Sequence, residues 1–209
     1  MPDQSLPRWQ YSHDIEAIVE TLSEAFFHDP VMEWIFPQEI SHRRRALDSF
    51  YTISIEHFLR HGGHAWATPE HEAVLVWTPP GEPNLSEADT EAYNRRLEHA
   101  LGGEYKRVEA FLKALEQQAP QELPDGYVHV MFAARHPGKS TSADWQTLMH
   151  ALREMVFRES LDIYAESSSL QNLRIWKRLG FQRIGQEIRL PDGGPDIYPI
   201  FGNVNGRIK

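Results

Sequence analysis

Three side chains suited to proton transfer stand at places where a cleft would need them. His129 lies within "YVHVMFAA", the best strand pattern in the chain (Tyr127 to Ala134), where alternation with Val128 and Val130 turns it to the opposite face. A histidine facing a cleft is a general base near neutral pH, and a hydrogen-bonded structural histidine is the competing reading. Glu166 ends the following strand pattern, "LDIYAE", and Glu24 stands late in the first helical pattern. Either carboxylate can take a proton from an ammonium, directly or through water. Tyr164 and Tyr198 carry hydroxyls able to return a proton to a leaving group, as solvent can. His57, His61 and His64 have the spacing of metal ligands on a helix. Gly62-Gly63 breaks that helix before His64, however, and histidine near a helix C-terminus is favourable without a metal, so no metal site is assigned.

A second chemical feature is "AARHPGKSTSADWQTLM", Ala133 to Met149, which follows a strand pattern and opens a helical one. Amides at such a junction commonly hold phosphates. "AARHPGKS" also fits a loose nucleotide-binding pattern, Ala-x4-Gly-Lys-Ser. Pro137 removes one phosphate-facing amide from that loop, and too little chain follows for the parallel strands such a fold needs, so nucleotide hydrolysis is set aside.

The bulk of the sequence narrows the classes further. Of 209 residues, 41% are hydrophobic and 24% charged, which suits a globular chain with a sizeable core. The net charge of -9, with no basic run longer than Arg43 to Arg45, argues against a nucleic-acid binder. With no cysteine, disulfides, thiolate nucleophiles and Cys-ligated zinc drop out together. The N-terminal stretch has neither the basic nor the apolar region of a signal peptide, and no apolar run reaches membrane-spanning length. A soluble, cytoplasmic protein is expected.

These residues must be positioned by interleaved helices and strands. "RWQY" (Arg8 to Tyr11) predicts a strand, and Ser12 or Asp14 caps a helix with Ile15, Ile18, Val19, Leu22 and Phe26 at helical spacing. "DPVMEWIFP" reads as a tight aromatic connection between Pro30 and Pro37, and a second helix runs from Ser41 to about His61. "HAWAT" and "EAVLVWT" suggest a hairpin. Ser86 to Gln118 is helical and charged, broken at Gly102-Gly103, with Glu98, Glu104, Lys106, Arg107 and Glu109 on a solvated face. A helix capped by Ser142 or Asp144 follows the loop. "SSLQNLRIWKRLGF" predicts another, with a capping box from Ser168 to Gln171. "FQRIGQEIRL", "PDGGPD" and "IYPIF" make a closing hairpin. The sum is one mixed α/β domain over residues 1–209, with 86–120 as a helical, charged insertion.

Three segments now resemble the GCN5-related N-acetyltransferase (GNAT) superfamily. "AFFHDPVMEWIFPQEISHRRR" is similar to the N-terminal helices on the acceptor side of its small-molecule acetyltransferases. "HGGHAWATPEHEAVLVWTPPG" is similar to the strand pair that follows. "YAESSSLQNLRIWKRLGFQRIG" resembles the closing family motif, with Asn172, Trp176 and Gly180-Phe181 at the family spacing. The resemblance implies an α/β (α+β) fold: a twisted, mostly antiparallel mixed sheet, splayed open after its fourth strand and flanked by helices.

It also implies a cofactor, acetyl-CoA or another acyl-CoA. The pantetheine arm would lie on the fourth strand, at Phe132, Ala133 and Ala134, near Asn172 and Trp176. The pyrophosphate would sit on the loop of Lys139, Ser140, Thr141, Ser142, Ala143, Asp144 and Trp145. From Pro137 to Leu148-Met149 the loop has the family length without a gap, but it is degenerate. Ser140 replaces the usual Gln or Arg, Ala143 and Trp145 replace glycines, and Thr141 replaces a frequent third. Trp176 stands where the family's usual proton donor is a Tyr. The expected activity is acyl-CoA-dependent N-acyl transfer to a small-molecule amine, with the catalytic group among His129, Glu24, Glu166 and Tyr164. Phe26, Phe27 and Trp34 would line an apolar or aromatic acceptor site. The alternative is a scaffold that has lost acetyl-CoA and either runs a CoA-independent reaction in the same cleft or only binds. The expected partner is a small-molecule amine, with neither nucleic acid nor membrane, and a homodimer stays open.

Overall fold

In the computed structural model residues 10–36, 39–81, 83–123 and 126–202 are described. Asp14 caps helix α1 (Ile15–Ala25) by accepting from Ala17 N at 3.1 Å, and Ile18, Val19 and Leu22 bury its apolar stripe. The aromatic connection expected next is instead a short helix, α2 (Pro30–Ile35). Asp29 Oδ1 accepts from Val31 N at 2.9 Å, and Pro30 stands in the first turn, where its missing N–H costs nothing. Pro37, at the far end of that connection, lies outside the described residues. Helix α3 (Ile40–Arg60) ends where Gly62 takes φ +82° and a Cβ on Gly63 would lie 2.7 Å from the Phe58 carbonyl oxygen.

The strands are β1 (Gln10–Tyr11), β2 (His64–Ala67), β3 (Ala73–Thr78), β4 (Tyr127–Arg135), β5 (Asp162–Ser167), β6 (Gln182–Arg183), β7 (Ile188–Arg189) and β8 (Asp196–Gly202). Arg8 and Trp9 of the expected first strand lie outside the described residues. The sheet order is β1-β2-β3-β4-β5-β8-β6, and β7 also pairs with β8. The closing hairpin is therefore two short strands, β6 and β7, on successive parts of β8. The β4–β5 pair is parallel and the other pairs are antiparallel.

Two irregularities shape the site. The β3–β4 register runs Val76↔Phe132 and then Trp77↔Val130, so Met131 is the extra residue of a bulge. The β4–β5 ladder ends at Val130↔Ala165, after which β4 stays with β3 and β5 with β8. The two strands part there, giving the splay the resemblance implies.

Each face of the sheet carries a core. One gathers Ile18, Leu22, Ile35, Phe50, Tyr51, Val74 and Val76 beneath α1–α3. The other gathers Leu75, Val130, Leu148, Leu152, Ile163 and Trp176 beneath α6 (Ser142–Arg158) and α7 (Leu170–Arg178). The segment expected as an insertion forms α4 (Glu87–Leu101), a 3₁₀ turn (Gly102–Glu104) and α5 (Tyr105–Gln117). Its Leu97, Leu101, Val108 and Ala114 join the first core, while Glu98, Lys106 and Arg107 are exposed. No helix among the described residues is long and apolar enough to cross a membrane.

Candidate functional site at the β4–β5 fork

His129 stands on β4 just before the strands part and Glu166 on β5 just after, and they meet: His129 Nε2 lies 2.8 Å from Glu166 Oε2. Their side chains remain 26% and 16% exposed, so the pair communicates with solvent. Tyr164 packs its ring 4.9 Å from His129 and 5.6 Å from Tyr127. Its hydroxyl is buried beside the Glu166 carboxylate. Burial first, and then the Glu166 charge, raise that phenol far above its usual value, which makes it a poor proton donor. Glu24 is committed elsewhere: its carboxylate pairs with Arg44, which also holds Asp48.

The structure adds a group that pattern reading missed. Asp29, 7% exposed, receives the Ser168 hydroxyl on Oδ2, and Asn172 Nδ2 donates to Ser168 Oγ at 3.1 Å. Burial raises the Asp29 carboxyl above its ordinary value, while the bonds from Ser168, Val31 and Met32 lower it in part. In sequence Asp29 reads only as the start of a tight connection before Pro30, and Ser168 reads as the cap of α7. The actual α7 cap is Ser169, which accepts from Asn172 N at 3.1 Å and leaves Ser168 free to bridge to α2. Tyr51 completes this corner, fully buried, its hydroxyl without a partner among the described residues. The Asp29 charge adds to burial in raising its pKa.

Phe26, Phe27 and Trp34 are half-buried against the first core. Phe26 faces Tyr51 at 6.0 Å, and Phe27 lies 5.3 Å beneath the Arg43 guanidinium. Trp34 is covered by Arg107 of α5, 5.7 Å from its ring. Phe132 turns into this aromatic group, 5.2 Å from Tyr51. Ala133 and Ala134 pair with Leu75 and Val74 of β3.

The loop before α6 bonds to itself. Ser140 N donates to the His136 carbonyl at 3.0 Å, and Gly138 N to His136 Nδ1 at 3.1 Å. Thr141, not Ser142 or Asp144, caps α6. The Asp144 carboxylate accepts from Thr141 N at 2.6 Å and from its hydroxyl at 2.8 Å. Ser142 and Ala143 form the exposed first turn, and Ser140 Oγ donates to the Thr141 carbonyl. Lys139 Nζ is paired with Glu20 of α1 at 2.8 Å. Trp145 meets Trp176 edge-on at 5.8 Å, and Trp176, 8% exposed, packs on Phe181. The self-bonded amides of Gly138, Ser140 and Thr141 and the Asp144 carboxylate at the helix start do not fit an acyl-CoA pyrophosphate. The metal-like histidines are also engaged: His61 bonds the His57 carbonyl and lies 3.5 Å from Asp89, and His64 packs on Trp77.

The mostly antiparallel sheet and its fork after the fourth strand agree with the fold that the resemblance implies. No protein-family model matches the chain. An uncharacterized N-acetyltransferase of Schizosaccharomyces pombe is 26% identical over 178 residues, covering 80% of this chain and 70% of that protein. A crystal structure from Corynebacterium glutamicum, described as histone acetyltransferase HPA2 and related acetyltransferase, superposes with a TM-score of 0.64. It is 20% identical and covers 94% of this chain and 96% of its own. The C-terminal condensation domain of Ebony, in complex with beta-alanyl-dopamine, superposes with a TM-score of 0.53 at 8% identity, covering 94% and 99%. The chain therefore shares its fold with these proteins.

Proposed function

We propose that the protein transfers an acyl group to a small primary amine at the β4–β5 fork. The observation that carries this reading is the Asp29–Ser168–Asn172 chain just past the end of β5, the strand that leaves β4 at the fork. A buried carboxyl with a raised pKa is a stronger base than a solvated one, and the Ser168 hydroxyl lets it act on a group at the fork. An ammonium acceptor must lose a proton before its nitrogen can attack. Asp29 takes that proton through Ser168. Glu166, held by His129 and open to solvent, draws the cation in and passes protons out. The half-buried Phe26, Phe27 and Trp34 favour an acceptor with an apolar or aromatic body. The bulge at Met131 leaves β4 backbone beyond the ladder for an incoming acyl group, the place for oxyanion-type stabilisation. The name of the S. pombe relative and the acetyltransferase described for C. glutamicum agree with this class of reaction.

The test is amide formation from 2-phenylethylamine and an acetyl thioester, read by mass spectrometry. Asp29→Asn keeps a side-chain oxygen for the α2 amides but cannot accept a proton. Its kcat is expected to fall by about a hundredfold, within the range for loss of a general base. An Asp29→Asn enzyme of wild-type activity would contradict the assignment.

A second reading has its own support: the self-bonded loop favours a scaffold that has given up acyl-CoA and runs a different condensation, or only binds. The Ebony condensation domain, described in complex with beta-alanyl-dopamine, has the same fold.

A further inference from the structure

We infer that the acyl donor is a pantetheine thioester without a nucleotide diphosphate, and that Asp144 sets this selectivity. The inference rests on the acyl-transfer reading above and identifies its donor. A diphosphate needs unpaired N–H groups and cations around a bare backbone. Here the N–H groups of Gly138, Ser140 and Thr141 are already given to His136 and Asp144. The Asp144 carboxylate, fixed by the Thr141 amide and hydroxyl, occupies the helix end with the same charge a diphosphate would bring. Lys139, the cation of the loop, is drawn off to Glu20, whose own carboxyl is held low by that partner. Trp145, packed on Trp176, occupies a position where only a glycine would let phosphate oxygens close. The fork is different. Beyond Val130, β4 is no longer laddered to β5, and an amide-bearing arm can add to that strand as a peptide adds to a sheet edge. The site thus accepts the pantetheine part of the donor and rejects its nucleotide end.

The reaction balances without the nucleotide. The amine nitrogen forms the C–N bond and the C–S bond breaks. One proton leaves the ammonium through Ser168 to Asp29 and on to solvent, and the second goes to the departing thiolate.

Calorimetric titration with S-acetylpantetheine, S-acetyl-4′-phosphopantetheine and acetyl-CoA tests the inference. The expected result is that acetyl-CoA binds no tighter than S-acetylpantetheine, and that Asp144→Asn, which keeps a cap acceptor, improves acetyl-CoA relative to S-acetylpantetheine by at least about threefold. Wild-type binding of acetyl-CoA more than about tenfold tighter than of S-acetylpantetheine overturns the donor class. An unchanged ratio in Asp144→Asn overturns the role of Asp144. The same thioester on a carrier protein separates two sources: tighter binding than the free arm points to a carrier-borne donor, equal binding to a small molecule, and both support the inference. If no thioester binds up to millimolar concentration, the acyl-transfer reading itself falls. If acetyl-CoA alone binds tightly, that reading stands and only this inference falls.

Discussion

Asp29 couples chemistry to stability. Its carboxyl titrates higher in the folded protein than in the unfolded chain, chiefly through burial. The associated stability is complete below the ordinary aspartate pKa and is lost as pH rises through the raised folded value. Asp29→Asn, neutral throughout, is therefore expected to gain thermal stability relative to wild type at pH 8 compared with pH 4, while losing catalysis. Melting curves at the two pH values check this, and a constant difference between the proteins would show that Asp29 carries no buried charge. Strand patterns singled out His129 and Glu166 as separate candidates, while the bond between them joins two strands and was not read. Asp29 and Ser168 were not singled out as candidates, because their bond joins residues 139 apart and each has an ordinary local use.

At the scale of elements, the α3–α4 contact and the end of α5 each make a prediction. His57 on α3, 5% exposed, stacks on Tyr93 of α4 with centroids 4.4 Å apart, and its Nε2 has no hydrogen-bond partner among the described residues. Burial, then the neighbouring His61, lower its pKa from 6.5 to about 4. A histidine with a depressed folded pKa contributes stability that is present above its unfolded value and lost as pH falls through the folded one. Between pH 7 and 4.5 the wild type should lose more in Tm than His57→Phe, which keeps the stacking but cannot be protonated. Parallel curves would contradict the assignment. Farther on, Gln118, at the end of α5, grips β7 twice: Nε2 donates to the Arg189 carbonyl and Oε1 accepts from Arg189 N, both at 3.0 Å. Gln118→Ala should speed hydrogen exchange at the Arg189 amide by about tenfold, the equivalent of one net hydrogen bond. Unchanged exchange would mean that another group protects the edge. Helix periodicity located these helices. It did not show that the loop before α6 bonds to itself, because loop length and residue type are sequence properties while the turn at His136 is a backbone geometry.

For the whole molecule, the order of strands and helices sufficed to expect one mixed α/β domain, and the resemblance carried by the closing motif implied the forked sheet. What lay beyond that reading was the lateral closure. Arg107 of α5 bonds the Trp34 carbonyl at 2.6 Å, and Gln118 holds β7, so the α4–α5 segment spans from α2 to the closing strands beside the fork. Its charges drew the reading to a solvated face, although Tyr93, Leu97 and Leu101, and then Val108, Leu112 and Leu115, stand at helical spacing and stack on the first core. Two cores, one on each face of the sheet, hold the halves of the fork at a fixed separation, and the Ser168–Asp29 bond ties them together. The central claim is that this fork moves an acyl group onto an amine. The most direct measurement is to mix the protein with carbonyl-¹³C S-acetylpantetheine and 2-phenylethylamine and follow the carbonyl resonance. Conversion of thioester to amide, slowed about a hundredfold in Asp29→Asn, is the predicted result; hydrolysis or no change in the wild-type protein would contradict it.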